Sequence, residues 1–255
     1  MLGSITRACA NHGLDLLISY QRMEDDWHTR YQDSMRADGL ILLGYGDYTT
    51  YEARLRELMR QGTHFARWGS VSSDTSGATI GSDNLGAGRL VGEHLLGEGR
   101  RRIAFIGHAD GHYPEFAHRY DGLCEVLRGA GIGPDPALQR DAITTEEAGL
   151  SATRDLIASG AQFDAIFAGS DLIAIGAMRA LAEAGLSVPG DVAVVGFDDI
   201  PSASLTSPPL TTIQQDTRGA GERLVETLLA QIEGEDLPPA RLPTRLIVRG
   251  SSTAS

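Results

Sequence analysis

Short apolar runs recur along the chain, each closed by a glycine and followed by a stretch with helical spacing. The clearest are Ile103-Ala104-Phe105-Ile106-Gly107, Ala165-Ile166-Phe167-Ala168-Gly169 and Val192-Ala193-Val194-Val195-Gly196. Runs this short, apolar without alternation and rich in β-branched or aromatic residues, suit parallel strands covered on both faces. The segments between them predict helices from Arg119 to Gly129, from Thr144 to Ser159 and from Leu172 to Ala184. Nearer the amino terminus the pattern predicts a helix over residues 5–12, a strand over 15–19 and a charged helix over 25–37. A strand over 39–43, an amphipathic helix over 51–60 and a strand over 64–68 follow, then an extended run over 79–83 and a helix over 86–96. Beyond Gly196 come an extended segment over 210–213, a helix over 219–232 and a last strand over 245–249. The alternation predicts an α/β fold of βα units around parallel sheets.

Residues 188–216 organise the rest. Pro189-Gly190 ends the preceding helix, and the strand after it closes at Gly196. Phe197-Asp198-Asp199 then occupy the carboxyl end of that strand, where open α/β sheets bind ligands. Acidic side chains there suit the hydroxyls of a polyhydroxylated molecule. Pro208-Pro209 stiffens the exit from this loop.

Composition narrows the function classes. The 255 residues carry 22 Lys and Arg against 34 Asp and Glu, a net charge of −12. Duplex binding draws on basic stripes, and the one basic run, Arg100-Arg101-Arg102, reads as a solvated turn. The chain by itself is not expected to bind DNA. No apolar run reaches the roughly 18 residues of a membrane span. The start lacks the basic and apolar regions of a secretory signal, and Cys9 and Cys124 read as reduced structural thiols, so the expected setting is cytoplasmic. His108, His112 and His118 cluster without strong metal-ligand spacing, and no P-loop, dinucleotide fingerprint or nucleophile elbow is present. Neither a metal nor a cofactor is expected.

Val-Pro-x-Asp-Val-x-Val-Val-Gly-Phe-Asp-Asp, with Pro-Pro-Leu-Thr-Thr shortly after it, resembles the effector-binding core of the LacI/GalR family of bacterial transcription regulators. Three further blocks keep that family's order and spacing. They are Asp83-Asn84 followed by Glu93-His94-Leu95-Leu96 and the arginine turn, Arg119-x-x-Gly122, and Phe163-Asp-Ala-Ile-Phe-Ala-x-x-Asp171. The resemblance implies two Rossmann-like lobes of the periplasmic-binding-protein type, joined by three crossovers near Arg100, Gln214 and Pro239. Residues 1–99 with 216–237 would form the first lobe, and 100–215 with 238–255 the second. It further implies a homodimer, a sugar or sugar derivative bound in the interlobe cleft, and operator DNA reached only through an amino-terminal helix-turn-helix domain. That domain, its hinge and the first strand of the first lobe have no counterpart within these residues, so the first lobe is expected to be incomplete.

The same resemblance picks out side chains. Asp198 would accept hydrogen bonds from ligand hydroxyls, Arg119 would donate, and Ser170 would do either. Trp68, at a strand's carboxyl end, suits a platform for a sugar ring and equally a core position. Tyr45 and Tyr48 are weaker platforms. Asp171, Tyr113, Thr144 and Gln215 complete the candidates, although Ser170, Asp171 and Thr144 also fit plain helix starts and Gln215 a solvated hinge. Ser170 departs from the family's usual asparagine, which puts in doubt any one relative's ligand. Two other readings remain: a periplasmic-type sugar-binding protein, and a carbohydrate-active enzyme using Asp198 and Glu115 as a carboxylate pair.

Overall fold

The computed structural model describes residues 1–19, 37–44, 48–71 and 78–253. They form two compact units, Met1–Ser82 with Asp216–Pro243, and Asp83–Gln215 with Thr244–Ser255. The chain passes between the units three times, after Ser82, Gln215 and Pro243.

In the first unit, β1 (Leu40–Leu43), β2 (Phe65–Trp68), β3 (Thr79–Ser82) and β9 (Ala240–Leu242) form a parallel sheet in that order. Helix α1 (Leu2–Asn11) packs on α7 (Thr217–Ile232), and α2 (Tyr48–Arg60) precedes β2. Asp216 caps α7 by accepting from Gly219 N at 2.8 Å, and Ser4 Oγ donates to Thr217 O at 2.6 Å, joining the starts of the two helices. Ile5, Ala66, Ile80, Leu224 and Val225 fill the space between helices and sheet. The strand expected over residues 15–19 does not form. Leu17 and Ile18 there are 63% and 64% exposed. An apolar run becomes a strand only where a neighbour takes up its backbone donors and acceptors. The helix expected over 25–37 (its last residue apart), Tyr45 and the side chain of Tyr48 lie outside the described residues.

The second unit holds a six-stranded sheet in the order β10-β8-β7-β6-β4-β5. Its strands are β4 (Ile103–Ile106), β5 (Gln139–Arg140), β6 (Ala165–Ala168), β7 (Ala193–Asp198), β8 (Thr211–Gln215) and β10 (Thr244–Ile247). All pairs are parallel except β10 with β8, which departs from the purely parallel expectation. Strand β10 ends before Val248-Arg249, which the sequence pattern had placed within it. Phe105, Phe167 and Phe197 stand at the centre of the core, and burial of each stabilises by about 1.5–3 kcal/mol. Helices α3 (Asn84–Gly97), α4 (Pro114–Gly129), α5 (Glu146–Ala158) and α6 (Asp171–Glu183) flank the sheet.

The contact between α3 and α4 moves the first boundary from the expected residue 99 to Asp83. These helices touch backbone to backbone. A Cβ on Gly88 would lie 2.1 Å from Arg119 O, and one on Gly122 would lie 2.1 Å from Leu85 O. Helix α3 is thereby bound to the second unit. At the other end, residues 238–243 belong to the first unit because β9 pairs with β3.

Gly122→Ala should therefore lower stability by about 1–3 kcal/mol, the usual cost of overpacking. Urea unfolding would report it, and an unchanged midpoint would show that α3 and α4 can separate freely.

Candidate functional site

The carboxyl end of β7 turns sharply. Asp198 and Asp199 both take positive φ, 120° and 55°, conformations that cost a non-glycine residue about 1–3 kcal/mol. Aspartate tolerates the left-handed region better than most residues, but Asp198 lies outside even that well. Side-chain bonds hold the turn. Gln215 Nε2 donates to Asp198 Oδ1 at 2.6 Å, and Gln214 Nε2 donates to Asp199 Oδ2 at 2.6 Å. Arg249 Nη2 donates to Asp199 Oδ1 at 2.6 Å.

Asp171 supports the turn from below. Its side chain has no exposed surface, and it accepts from Thr212 Oγ1 at 2.5 Å and from Ile200 N at 2.9 Å. Gly196 makes room for it, since a Cβ there would lie 2.2 Å from Asp171 Oδ1. Burial pushes the Asp171 carboxyl up to about 7, against the lowering pull of the Thr212 and Ile200 hydrogen bonds; repulsion from Asp198 and Asp199 adds to the rise. Burial also pushes Asp198 up to about 6, opposed by the charge of Arg119 and by the bond from Gln215. Asp198 remains half-buried and Asp171 does not, so Asp171 positions the turn and is not available to touch a ligand. The same correction applies to Ser170. It is 1% exposed, and its Oγ caps α6 by accepting from Ile173 N at 3.3 Å.

Arg119 is a buried cation on α4. Its guanidinium carbon lies 3.4 Å from the centroid of Phe197 and 5.1 Å from that of Phe116. Nε donates to Asn84 Oδ1 at 2.9 Å and Nη1 donates to Gly169 O. Aromatic contacts continue outward from Phe116 to Tyr113, centroids 6.4 Å apart, and from Tyr113 to His108, stacked at 4.2 Å. Arg119, Asp198, Gln215 and Tyr113 thus join one network in the second unit. Thr144 is exposed, one residue ahead of the Thr145 cap on α5. Trp68 belongs to the first unit, where it ends β2 and packs partly buried against the core around Ile80. Among the described residues no group of three His, Cys, Asp or Glu side chains could hold a metal ion.

Sequence reasoning passed over several members of this network. Asp83 or Asn84 could cap α3 by sequence; Asp83 does, accepting from Gly86 N at 3.0 Å, while Asn84 turns inward to Arg119. Arg249 reads as strand. The sequence places Phe197 only by its strand's carboxyl end, and nothing local marks it or Phe116 as the partner of a cation.

The arrangement offers a carboxylate acceptor, a fixed amide and a guanidinium held between rings. Such a set suits a neutral ligand with several hydroxyls. Asp171 also sets a pH dependence. Its folded value lies above the unfolded one, so its contribution is greatest at low pH and is lost as pH rises through about 7. Asp171→Asn can keep both bonds, accepting from Ile200 and donating to Thr212. Relative to the unsubstituted chain, the variant should gain stability between about pH 4.5 and pH 7.5. Thermal unfolding at the two pH values tests this, and a pH-independent difference would contradict it.

The family described as periplasmic binding protein-like domain matches residues 93–252. The HTH-type transcriptional regulator CelR of Thermobifida fusca is 39% identical over 172 residues, 66% of this chain and 50% of that protein. The ribose operon repressor of Escherichia coli (strain K12) is 30% identical over 263 residues, covering 99% of this chain and 77% of the repressor. The chain thus spans half of one relative and about three quarters of the other. Among solved structures, the complex of CelR with cellobiose superposes with a TM-score of 0.89 at 29% identity, covering 98% of this chain and 77% of that one. The lac repressor dimer bound to operator and an anti-inducer gives 0.86 at 27% identity, covering 99% and 76%. In none of the described helices is there a stretch long and apolar enough to cross a membrane. By fold, by block order and by these similarities, the chain belongs to the LacI/GalR family of transcription regulators and corresponds to its periplasmic-binding-protein-like, effector-binding part.

Proposed function

We propose that this chain senses a small sugar or sugar derivative for a homodimeric, cytoplasmic DNA-binding regulator. The observation that carries the reading is the Asp198 turn, a half-buried carboxylate fixed by Gln215 beside the buried Arg119. Asp198 accepts from ligand hydroxyls, Gln215 orients it, and the ring row from Phe116 to His108 offers apolar area to C–H faces. Thr144, exposed on the same unit, is a secondary contact in the same reading. CelR, whose solved complex holds cellobiose, supports a sugar as the ligand class. Operator binding would reside in a helix-turn-helix domain, as the name of CelR indicates for that relative.

Coupling then follows from differential affinity. An effector shifts the regulator only by as much as it prefers one conformation over the other. Effector binding and operator release or capture are two readings of one free-energy difference. No catalysis is assigned, and turnover of an aryl glycoside would overturn that part of the reading.

A thermal-shift screen against mono- and disaccharides, including cellobiose and D-ribose, and against sugar phosphates and purines tests the proposal. A ligand at about 100 times its dissociation constant adds about 2.7 kcal/mol of apparent stability. Asp198→Ala should abolish the shift and leave the fold intact; normal binding by that variant would remove Asp198 from the site. Since Asp198 titrates near 6 and acts as an acceptor when ionised, affinity should fall about tenfold per pH unit below that value. Calorimetric titration across the range would show it, and a flat profile would mean that the neutral acid serves equally well.

A further inference from the structure

Arg249 lies in the carboxyl-terminal tail, beyond the last strand, and nothing in the ligand-binding reading calls for it. Its bonds nonetheless converge on the ligand turn. Nη2 donates to Asp199 Oδ1 at 2.6 Å, Nη1 donates to Leu210 O at 2.8 Å, and the backbone N donates to Thr211 Oγ1 at 2.8 Å. The side chains of the Arg249–Asp199 pair are only 21% and 13% exposed, so solvent screens the contact weakly. The tail is in turn locked to the sheet. Ser251 Oγ donates to Val194 O at 2.6 Å and accepts from Thr211 N at 2.8 Å, and Val194 N donates to Ser251 O at 2.8 Å. Ser252 Oγ donates to Thr211 Oγ1 at 2.7 Å and lies 2.7 Å from His94 Nε2 on α3. The hydrogens can run in one direction along this row. Thr211 Oγ1 donates to Arg249 O at 3.0 Å, so Ser252 supplies the hydrogen between the two hydroxyls and His94 donates from Nε2.

The turn needs such a hold. Two consecutive aspartates at positive φ relax toward ordinary backbone unless their surroundings forbid it. Gln214, Gln215 and Asp171 supply neighbouring restraints from β8 and α6. Among the described residues Arg249 supplies the ion pair to Asp199, and it reaches there from a tail fixed independently to β7 and β8.

We infer that Arg249 is a positioning residue: anchored by the tail, it clamps Asp199 so that the strained turn presents Asp198 to the effector. The inference rests on the reading of Asp198 as an effector contact, but the clamp itself can be tested without ligand.

Amide hydrogen exchange is measured on Arg249→Met, Asp199→Asn and the double variant. Asp199→Asn removes the ion pair while leaving the tail and the other Arg249 bonds in place. Expected is exchange at least about tenfold faster at Asp199 and Ile200 in each single variant, with the β4 and β6 amides unchanged. The double variant should be accelerated by clearly less than the product of the two single effects, because both substitutions break the shared Arg249–Asp199 contact. Unchanged exchange at the turn, uniform acceleration through the sheet, or additive effects in the double variant would each overturn the inference. In a second arm, cellobiose and D-ribose are titrated calorimetrically into the unsubstituted chain, Arg249→Met and Asp198→Asn. For a sugar that binds, Arg249→Met should weaken affinity about tenfold while Asp198→Asn removes it. A loosened turn with unchanged sugar affinity in Arg249→Met overturns the presenting role. Normal binding by Asp198→Asn instead removes the effector-site reading and leaves the clamp to be judged by exchange alone.

Discussion

Asp171 has no contact with water, yet it carries the pull of Thr212 on β8 and of Ile200 beyond β7. Burying a carboxylate costs several kcal/mol unless its oxygens are satisfied, so the geometry around it is closely constrained. Gly196 must lack a side chain, Thr212 must present its hydroxyl, and the chain after Asp199 must bring an amide back toward α6. Meeting those demands turns β7 abruptly at its end, where Asp198 and Asp199 take positive φ. The Asp198 turn is shaped by what the buried carboxylate beneath it requires.

Arg119 answers a similar demand with different means. Rings of Phe197 and Phe116 lie against its guanidinium, while Asn84 and the Gly169 carbonyl take its hydrogens. Little side-chain freedom remains to Arg119, and its positive charge is placed to oppose the cost of ionising Asp198. The entropy of ordering this cation is spent during folding.

Much of this was legible in the sequence where the signal is local. Strands β4 and β6 are unbroken apolar runs ended by glycine, and burial on both faces leaves such runs few alternatives; β7 runs on through the expected stop at Gly196 to Asp198. Motif position marked Asp198 and Arg119 as candidates, and both lie in one network of the second unit. Residues 15–19 misled because apolarity reports a wish to be buried, not the presence of a neighbouring ladder. Asp171 misled because it follows Ser170 in a block that resembles ligand contacts, whereas its burial depends on Thr212, 41 residues away. The boundary at Asp83 depended on two glycines whose missing side chains matter only once α3 and α4 are side by side. Arg249 needed a partner 50 residues upstream.

Both units are discontinuous in sequence, and this has a consequence for how the chain is made. The first unit needs residues 216–243 for α7 and β9, and the second needs its tail to pin β7 and β8. During synthesis from the amino terminus, Leu224 and Val225 reach the cluster around Ile5 only after most of the second unit has been translated. Long-range closures of this kind slow folding and leave apolar faces uncovered meanwhile. The first unit cannot finish before residue 243 and the second cannot pin β7 and β8 before its tail is made, so the nascent chain must keep α1 and β1 to β3 waiting for a helix encoded some two hundred residues later.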